Sequence, residues 1–357
     1  MKIIIPDYYP LFSCIAGKCP DTCCAGWEVV VDPESEKRYM ELQSPLGERI
    51  RREMTSIDGE TCFQAQADGR CPFLNEKNLC DIQADLGEEA LCQTCHLYPR
   101  FINNFGGSEE RGLSLSCPEA ARIILSRRKR LTLTFEDHPE LPIQLTDMDA
   151  DVFSGMQTLR AAALDLAGMN EVPMNHRLAL ILRMARKGGD SLDALPETLV
   201  EKLTPKELIP QLKRARVRCE KAAPLTPQTV KEALLSLDIL TDGWKERLEK
   251  AEELSFAPLH PQFEENVLNT FLYRYLARSA YPDAGKKDFS GYAKFAVFSI
   301  LALRMLGAGM DKKTLTRLTI LYSREVEHDE ENIAALLRLF KKDKRFSEKA
   351  FTAALLN

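Results

Sequence analysis

Hydrophobic positions in the second half of the chain recur every three or four residues. In "FEENVLNTFLYRYLARSAY", Phe263, Val267, Phe271 and Tyr275 share a broad face with Leu268, Leu272 and Leu276, the stripe of a core-facing helix. "YAKFAVFSILALRMLGAG" predicts a second helix ending at glycine, and "ENIAALLRLFKKD" and "SEKAFTAALLN" predict two more. "TPKELIPQLKRARVRCEKA" and "TPQTVKEALLSLD" both open on Thr-Pro, a capping hydroxyl followed by proline at the first helical position. From about residue 151 onward the pattern is helical.

The first 130 residues are different. Turn signals crowd "DPES", "DGE", "DGR", "NEKN" and "FGGS", and only two helices are predicted, in "PESEKRYMELQS" and "PEAARIILSRRKR". "LTLTF" alternates and predicts a short strand. The acidic stretch "EDHPELPIQLTDMDA", with two prolines, reads as a linker. The expected architecture is mainly α. A loop-rich, cysteine-ligated metal-binding region over 1–130 is joined by a linker at 131–150 to an all-helical domain at 151–357.

Charge and hydropathy narrow the partners. The net charge is −5, so a global positive field for nucleic acid is absent. "SRRKR" (Ser126 to Arg130) reads as a solvated helix end. The longest uncharged apolar run, "FAVFSILAL", lies between Lys294 and Arg304 and falls short of the roughly 20 residues a bilayer requires. "MKIIIPDYYP" breaks at Pro6 and Asp7 and offers no secretory core, so a cytoplasmic location is expected.

That expectation decides how the cysteines are read. There are 11, and all but Cys219 lie between Cys14 and Cys117. In a reducing compartment such density points to metal rather than disulfides. Cys92-x2-Cys95 is the strongest local signal, because a tight turn aims both sulfurs at one ion. It stands with Cys14-x4-Cys19-x3-Cys23-Cys24, with Cys71 and Cys80 bounding "CPFLNEKNLC", and with Cys117 in "LSCPEAAR". The irregular spacing leaves zinc and an iron–sulfur cluster both open. Cys62 and Cys219 read as small buried hydrophobes, and His96 as a hydrogen-bonding side chain. No GxGxxG, P-loop or C-x3-C-x2-C run is present, and "GAGM" at Gly307 reads as a helix end.

Three stretches, "PDYYPLFSCIAGKCPDTCCAGWEVVVD", "RCPFLNEKNLCDIQADLGEEALCQTCHLYPRFIN" and "GLSLSCPEAARIIL", closely resemble the bacterial flagellin lysine-N-methylase family. The likeness covers roughly the first 125 residues. Nested within it is a likeness to the small YkgJ-type zinc- or iron-chelating domain, on whose cysteine positions Cys14, Cys19, Cys23, Cys24, Cys71, Cys80 and Cys95 fall. Cys92 and Cys117 belong only to the methylase-like pattern. The resemblance implies transfer of methyl groups from S-adenosyl-L-methionine (SAM) to lysine amines of flagellin. It also implies an iron–sulfur cluster of the 4Fe-4S type, with zinc as the alternative. Given that chemistry, Trp27 and Tyr98 offer aromatic faces to the sulfonium and Arg100 a partner for a carboxylate. The competing reading is a non-enzymatic metal-binding module with a helical interaction domain.

Overall fold

The computed structural model describes residues 1–357 except 27, 58, 144–145, 195–204, 253, 282–287 and 357. The chain divides into two compact units. One comprises Phe12–Phe101 with Leu113–Ala120; the other comprises Met1–Leu11, Ile102–Gly112 and Ala121–Asn357. The interval 1–130 therefore contributes to both.

In the first unit, β2 (Val29–Val30), β4 (Glu60–Phe63) and β3 (Met54–Ile57) form an antiparallel sheet in that order. Two helices, Pro33–Glu41 and Pro45–Glu53, begin at side-chain caps, Asp32 and Ser44, each followed by proline. Between them Leu42 crowds Gly47 so closely that a Cβ there would sit 2.3 Å from the Leu42 carbonyl oxygen. The core is small: Val29, Val31, Tyr39, Ile50, Phe63, Phe73, Ile82 and Cys92. Phe63 packs edge-on against Phe73, with centroids 4.8 Å apart.

The second unit carries a four-stranded sheet in the order β5 (Arg100–Asn104), β6 (Ser108–Leu113), β1 (Lys2–Pro6), β7 (Leu133–Asp137). β1 runs parallel to β6 and antiparallel to β7. The three isoleucines ahead of Pro6 are the buried side chains of β1. Helices Pro261–Arg278 and Phe289–Gly307 pack on each other at the centre of this unit. The second is long and apolar enough to cross a membrane, and 89% of that apolar window is buried inside the protein. The Tyr273 hydroxyl donates to the backbone at Ile4 and Arg111, 3.1 Å each, and so pins helix to sheet. In two buried bidentate pairs, Arg160 with Glu110 and Arg304 with Glu264, the partners neutralise each other's charge inside this unit.

The mainly α expectation therefore holds with a correction. The N-terminal interval is not simply loop-rich, because the seven strands among the described residues fall within it or just beyond. The alternating "LTLTF" marks β7, inside the interval read as a linker. The helix opened by Pro118 stops at Leu125, so "SRRKR" follows it; Arg127 reaches Asp7 at 2.7 Å and Arg130 pairs with Asp165. Gly307 ends its helix, as expected.

Candidate functional site

Three local structures carry the cysteines of the first unit. The Cys23-Cys24 turn is laced to the segment before Cys71: the Cys71 N–H donates to the Cys24 carbonyl and the Gly26 N–H to the Gly69 carbonyl, both 2.7 Å. Gly26 and Gly69 hold φ of +87° and +77°, where a side chain would strain the backbone. The Cys71–Cys80 loop closes on Asn75. Its Oδ1 accepts from the Lys77 and Leu79 amides at 3.0 and 3.1 Å, and its Nδ2 donates to Asp81 at 2.9 Å. Arg49 braces the other side of Asp81 at 2.7 Å.

The Cys92–Cys95 turn is the short helix Gln93–Leu97, and Asp32 fixes it. One carboxylate oxygen of Asp32 accepts from the Ser35 amide at 2.9 Å, capping Pro33–Glu41. The other accepts from the Gln93 amide at 2.7 Å. A single side chain thus sets two helix starts in register, and Thr94 adds a hydroxyl bond to the Val30 carbonyl at 2.8 Å.

These structures enclose a cavity of about 330 Å³. Cys14, Cys23, Cys24, Cys71, Cys80, Cys92 and Cys95 line it, seven of the nine cysteines that sequence reasoning singles out. Cys19 and Cys117 are not in its lining, but Cys117 feels the charges of Cys19 and Cys23. Tyr98 and Arg100 also face the cavity, with aromatic walls from Phe12, Phe63 and Phe73. The Tyr98 hydroxyl bonds Ser116 at 3.0 Å, and the Arg100 guanidinium lies 5.0 Å from the centre of the Phe12 ring. Trp27 lies outside the described residues. Cys62 is buried in β4 and Cys219 in the helical unit, both away from the cavity.

The sulfurs sit in a distinctive electrostatic setting. Burial pushes Cys71 and Cys117 up to about 11 and also raises Cys19 and Cys80. Acting against burial, backbone N–H groups two or three residues onward point at sulfur: Asp21 at Cys19, Phe73 at Cys71, Ile82 and Gln83 at Cys80, Thr94 and Cys95 at Cys92, and Glu119 and Ala120 at Cys117. The Ala16 amide donates to the Cys14 sulfur at 3.4 Å. Cys92 and Cys95 are one coupled pair: the Cys95 thiol hydrogen-bonds Cys92, which lowers Cys92 and holds Cys95 well up. Such amides favour thiolate, the form that binds metal, so the donor set suits a soft or borderline cation. Among the described residues no three Cys, His, Asp or Glu side chains close to within ligation distance of one point. The sulfurs surround a space instead, and its volume falls at the lower end of the range for small-molecule pockets.

Sequence reasoning set His96 aside as a hydrogen-bonding side chain and missed Asp32. His96 lines the cavity, and its position beside Cys95 in the same helical turn is the signal that points there. Asp32 is invisible as a link to Gln93, because only the fold brings positions 61 residues apart together.

Comparison with known proteins adds independent information. Residues 160–355 match the family model described as the FliB lysine N-methylase C-terminal domain. A lysine-N-methylase of Salmonella typhimurium and one of Salmonella choleraesuis are each 32% identical over 154 residues, 39% of this chain and 38% of the relative. The flagellar biosynthetic protein FliU of Salmonella muenchen is 33% identical over 128 residues, 34% of this chain and 75% of that protein. The matches thus span well under half the length of the two lysine-N-methylases. No solved structure matches.

Proposed function

The chain belongs to the FliB lysine N-methylase family, and from that premise we propose that it is a cytoplasmic protein-lysine N-methyltransferase that uses SAM to methylate flagellin. The observation that carries the reading is the cavity in the first unit, where seven cysteines, Tyr98 and Arg100 converge. The donor set fits a thiolate-ligated iron–sulfur cluster. Ligands would come from Cys14, Cys23, Cys24, Cys71, Cys80, Cys92 and Cys95, with Cys19 and Cys117 beside them. Bound there, the cluster supplies cross-links between the turns of a unit with a small core, and an iron atom able to hold a ligand's amino and carboxylate groups.

The chain's own residues supply the rest. The methyl transfer forms an N–C bond from the lone pair of a neutral lysine amine while the C–S bond of the sulfonium breaks. S-adenosylhomocysteine leaves, and the amine gives up one proton to solvent. Arg100 is the cation available for the SAM carboxylate, since it makes no ion pair among the described residues. The Tyr98 ring offers its face to the sulfonium, with its hydroxyl tied to Ser116. Phe12, Phe63 and Phe73 keep water from the reacting centre. The helical unit supplies the area needed to grip a folded substrate.

The test is methylation of purified flagellin by anaerobically prepared full-length protein, followed by peptide mass spectrometry. Methyl-lysine should form only when SAM is present, and Arg100→Gln should raise the KM for SAM while the iron content stays constant. Unmodified flagellin together with no measurable SAM binding would refute the enzymatic reading in favour of a metal-binding module.

A further inference from the structure

The helical unit contains a second cavity, of about 460 Å³, that no part of the methylation reading uses. Three helices form it. Arg183 and Arg186 come from the last turns of Met174–Gly188, Arg218 from the end of Pro205–Cys219, and Ser347, Glu348 and Lys349 from the start of Glu348–Leu356. Four basic side chains face one acid, leaving an excess of three positive charges. Glu348 is committed to Arg186 at 3.3 Å, and the Arg218 Nε donates to the Arg214 carbonyl at 3.3 Å.

Arg183 is the anomaly. It is only 7% exposed, and its buried Nε has no hydrogen-bond partner among the described residues. Burying an arginine N–H without an acceptor costs stability, and helix-end capping does not explain it, because it lies above the last turn. Like charges aggravate the cost: burial, then Arg218, Arg186 and Arg214 all act to lower the Arg183 pKa, with only Glu348 opposing, and the neighbouring Lys187 is lowered as well. The third helix brings its N-terminus to the lining, where the dipole favours negative charge, although the Ser347 hydroxyl already accepts from the Ala350 amide at 3.3 Å.

We propose that this cavity binds a multiply charged oxyanion of the phosphate class, free or as the phosphoryl group of a small metabolite, with Arg183 and Arg218 as its principal ligands. Guanidinium forks match phosphate oxygens bidentately, and an excess of three charges exceeds what one monocarboxylate neutralises. SAM is repelled here, since its sulfonium would join a cationic cluster, so the site is distinct from the cysteine cavity.

The test uses the full-length protein and calorimetric titration with inorganic phosphate and, separately, glycerol phosphate, against acetate and chloride at matched ionic strength. Saturable binding of one phosphate or phosphomonoester per chain, with a melting temperature that rises with its concentration, supports the site. Binding of the phosphomonoester alone assigns the site to a metabolite; equal binding of both assigns it to the phosphoryl group itself. Arg183→Gln and the exposed Arg218→Gln should each weaken binding by about tenfold, the loss of one charge-assisted contact. The second variant keeps the test decisive if the first misfolds. Phosphate effects equal to those of chloride, or unchanged phosphate affinity in Arg218→Gln, would overturn the proposal.

Discussion

Phe73 joins the core of the cysteine unit to the wall of its cavity, so Phe73→Ala tests whether packing holds the thiols in place. Its side chain is 1% exposed and packs edge-on against Phe63 at 4.8 Å. Arg49 covers it with its guanidinium 5.2 Å from the ring centre, and the Phe73 backbone serves both Cys71, through its N–H, and the Asp81 amide, through its carbonyl. Truncating a buried phenylalanine costs about 4 kcal/mol, with about 1 of that from the edge contact. Phe73→Leu fills most of the volume and should cost about 1 kcal/mol. The assay is native-state hydrogen exchange, which reads opening free energy locally. Amides of β2, β4 and the helix Pro33–Glu41 should exchange roughly a thousandfold faster in Phe73→Ala and less than tenfold faster in Phe73→Leu. If Phe73→Ala accelerates these amides no more than Phe73→Leu does, the core is not what positions the cysteine turns.

Asp32→Ala should destabilise both helix starts that its carboxylate serves, by about 2 kcal/mol in total, seen as faster exchange at Ser35–Tyr39 and at Gln93–Leu97; an effect confined to the first segment would contradict the shared cap. For Asp81, burial raises the carboxyl, but the hydrogen bonds from Arg49 and Asn75 outweigh it and hold the carboxyl below 3.8; Asp32 is likewise held low by its amide bonds despite burial. Their stabilisation is therefore fully present above pH 3.8 and lost as pH falls through the depressed native values, so Asp81→Asn should lower stability at neutral pH and flatten the acid limb of an unfolding titration, the two proteins converging in acid. In the helical unit, Arg304→Met strands the buried Glu264 and should cost about 3–5 kcal/mol, whereas Arg304→Met with Glu264→Leu should recover most of it; a double variant no better than the single would refute the pairing. Cys23→Ser should lose metal, while Cys219→Ser, in the helical unit, should retain the full complement by elemental analysis.

Periodicity made the helical half legible. The 3.6-residue stripe of Pro261–Arg278, the Thr226-Pro227 start and the glycine end of Phe289–Gly307 are local signals that packing reinforces. β1 was not legible. Three consecutive isoleucines do not alternate, and their strand exists because β6 and β7, more than 100 residues away in sequence, flank it. The boundary between units was hidden for the same reason: long-range pairing draws Met1–Leu11 and Ile102–Gly112 to the helices. In the cavity, the cysteines advertised themselves by residue type, yet which ones face each other depends on ties such as Cys71 to Cys24 and Gln93 to Asp32. The basic cavity around Arg183 was illegible because its charges come from three helices whose crossing no local pattern encodes.

The central claim is that the thiols of the first unit hold an iron–sulfur cluster on which lysine methylation depends. The most direct measurement is iron and acid-labile sulfide per chain in anaerobically purified protein, taken alongside flagellin methylation in the same samples before and after chelation. The account predicts matched iron and sulfide in the intact protein, their loss from Cys92→Ser and Cys95→Ser, and methylation that falls in step with iron as the chelator acts. Colourless protein holding stoichiometric zinc, no sulfide and full methylating activity would contradict it.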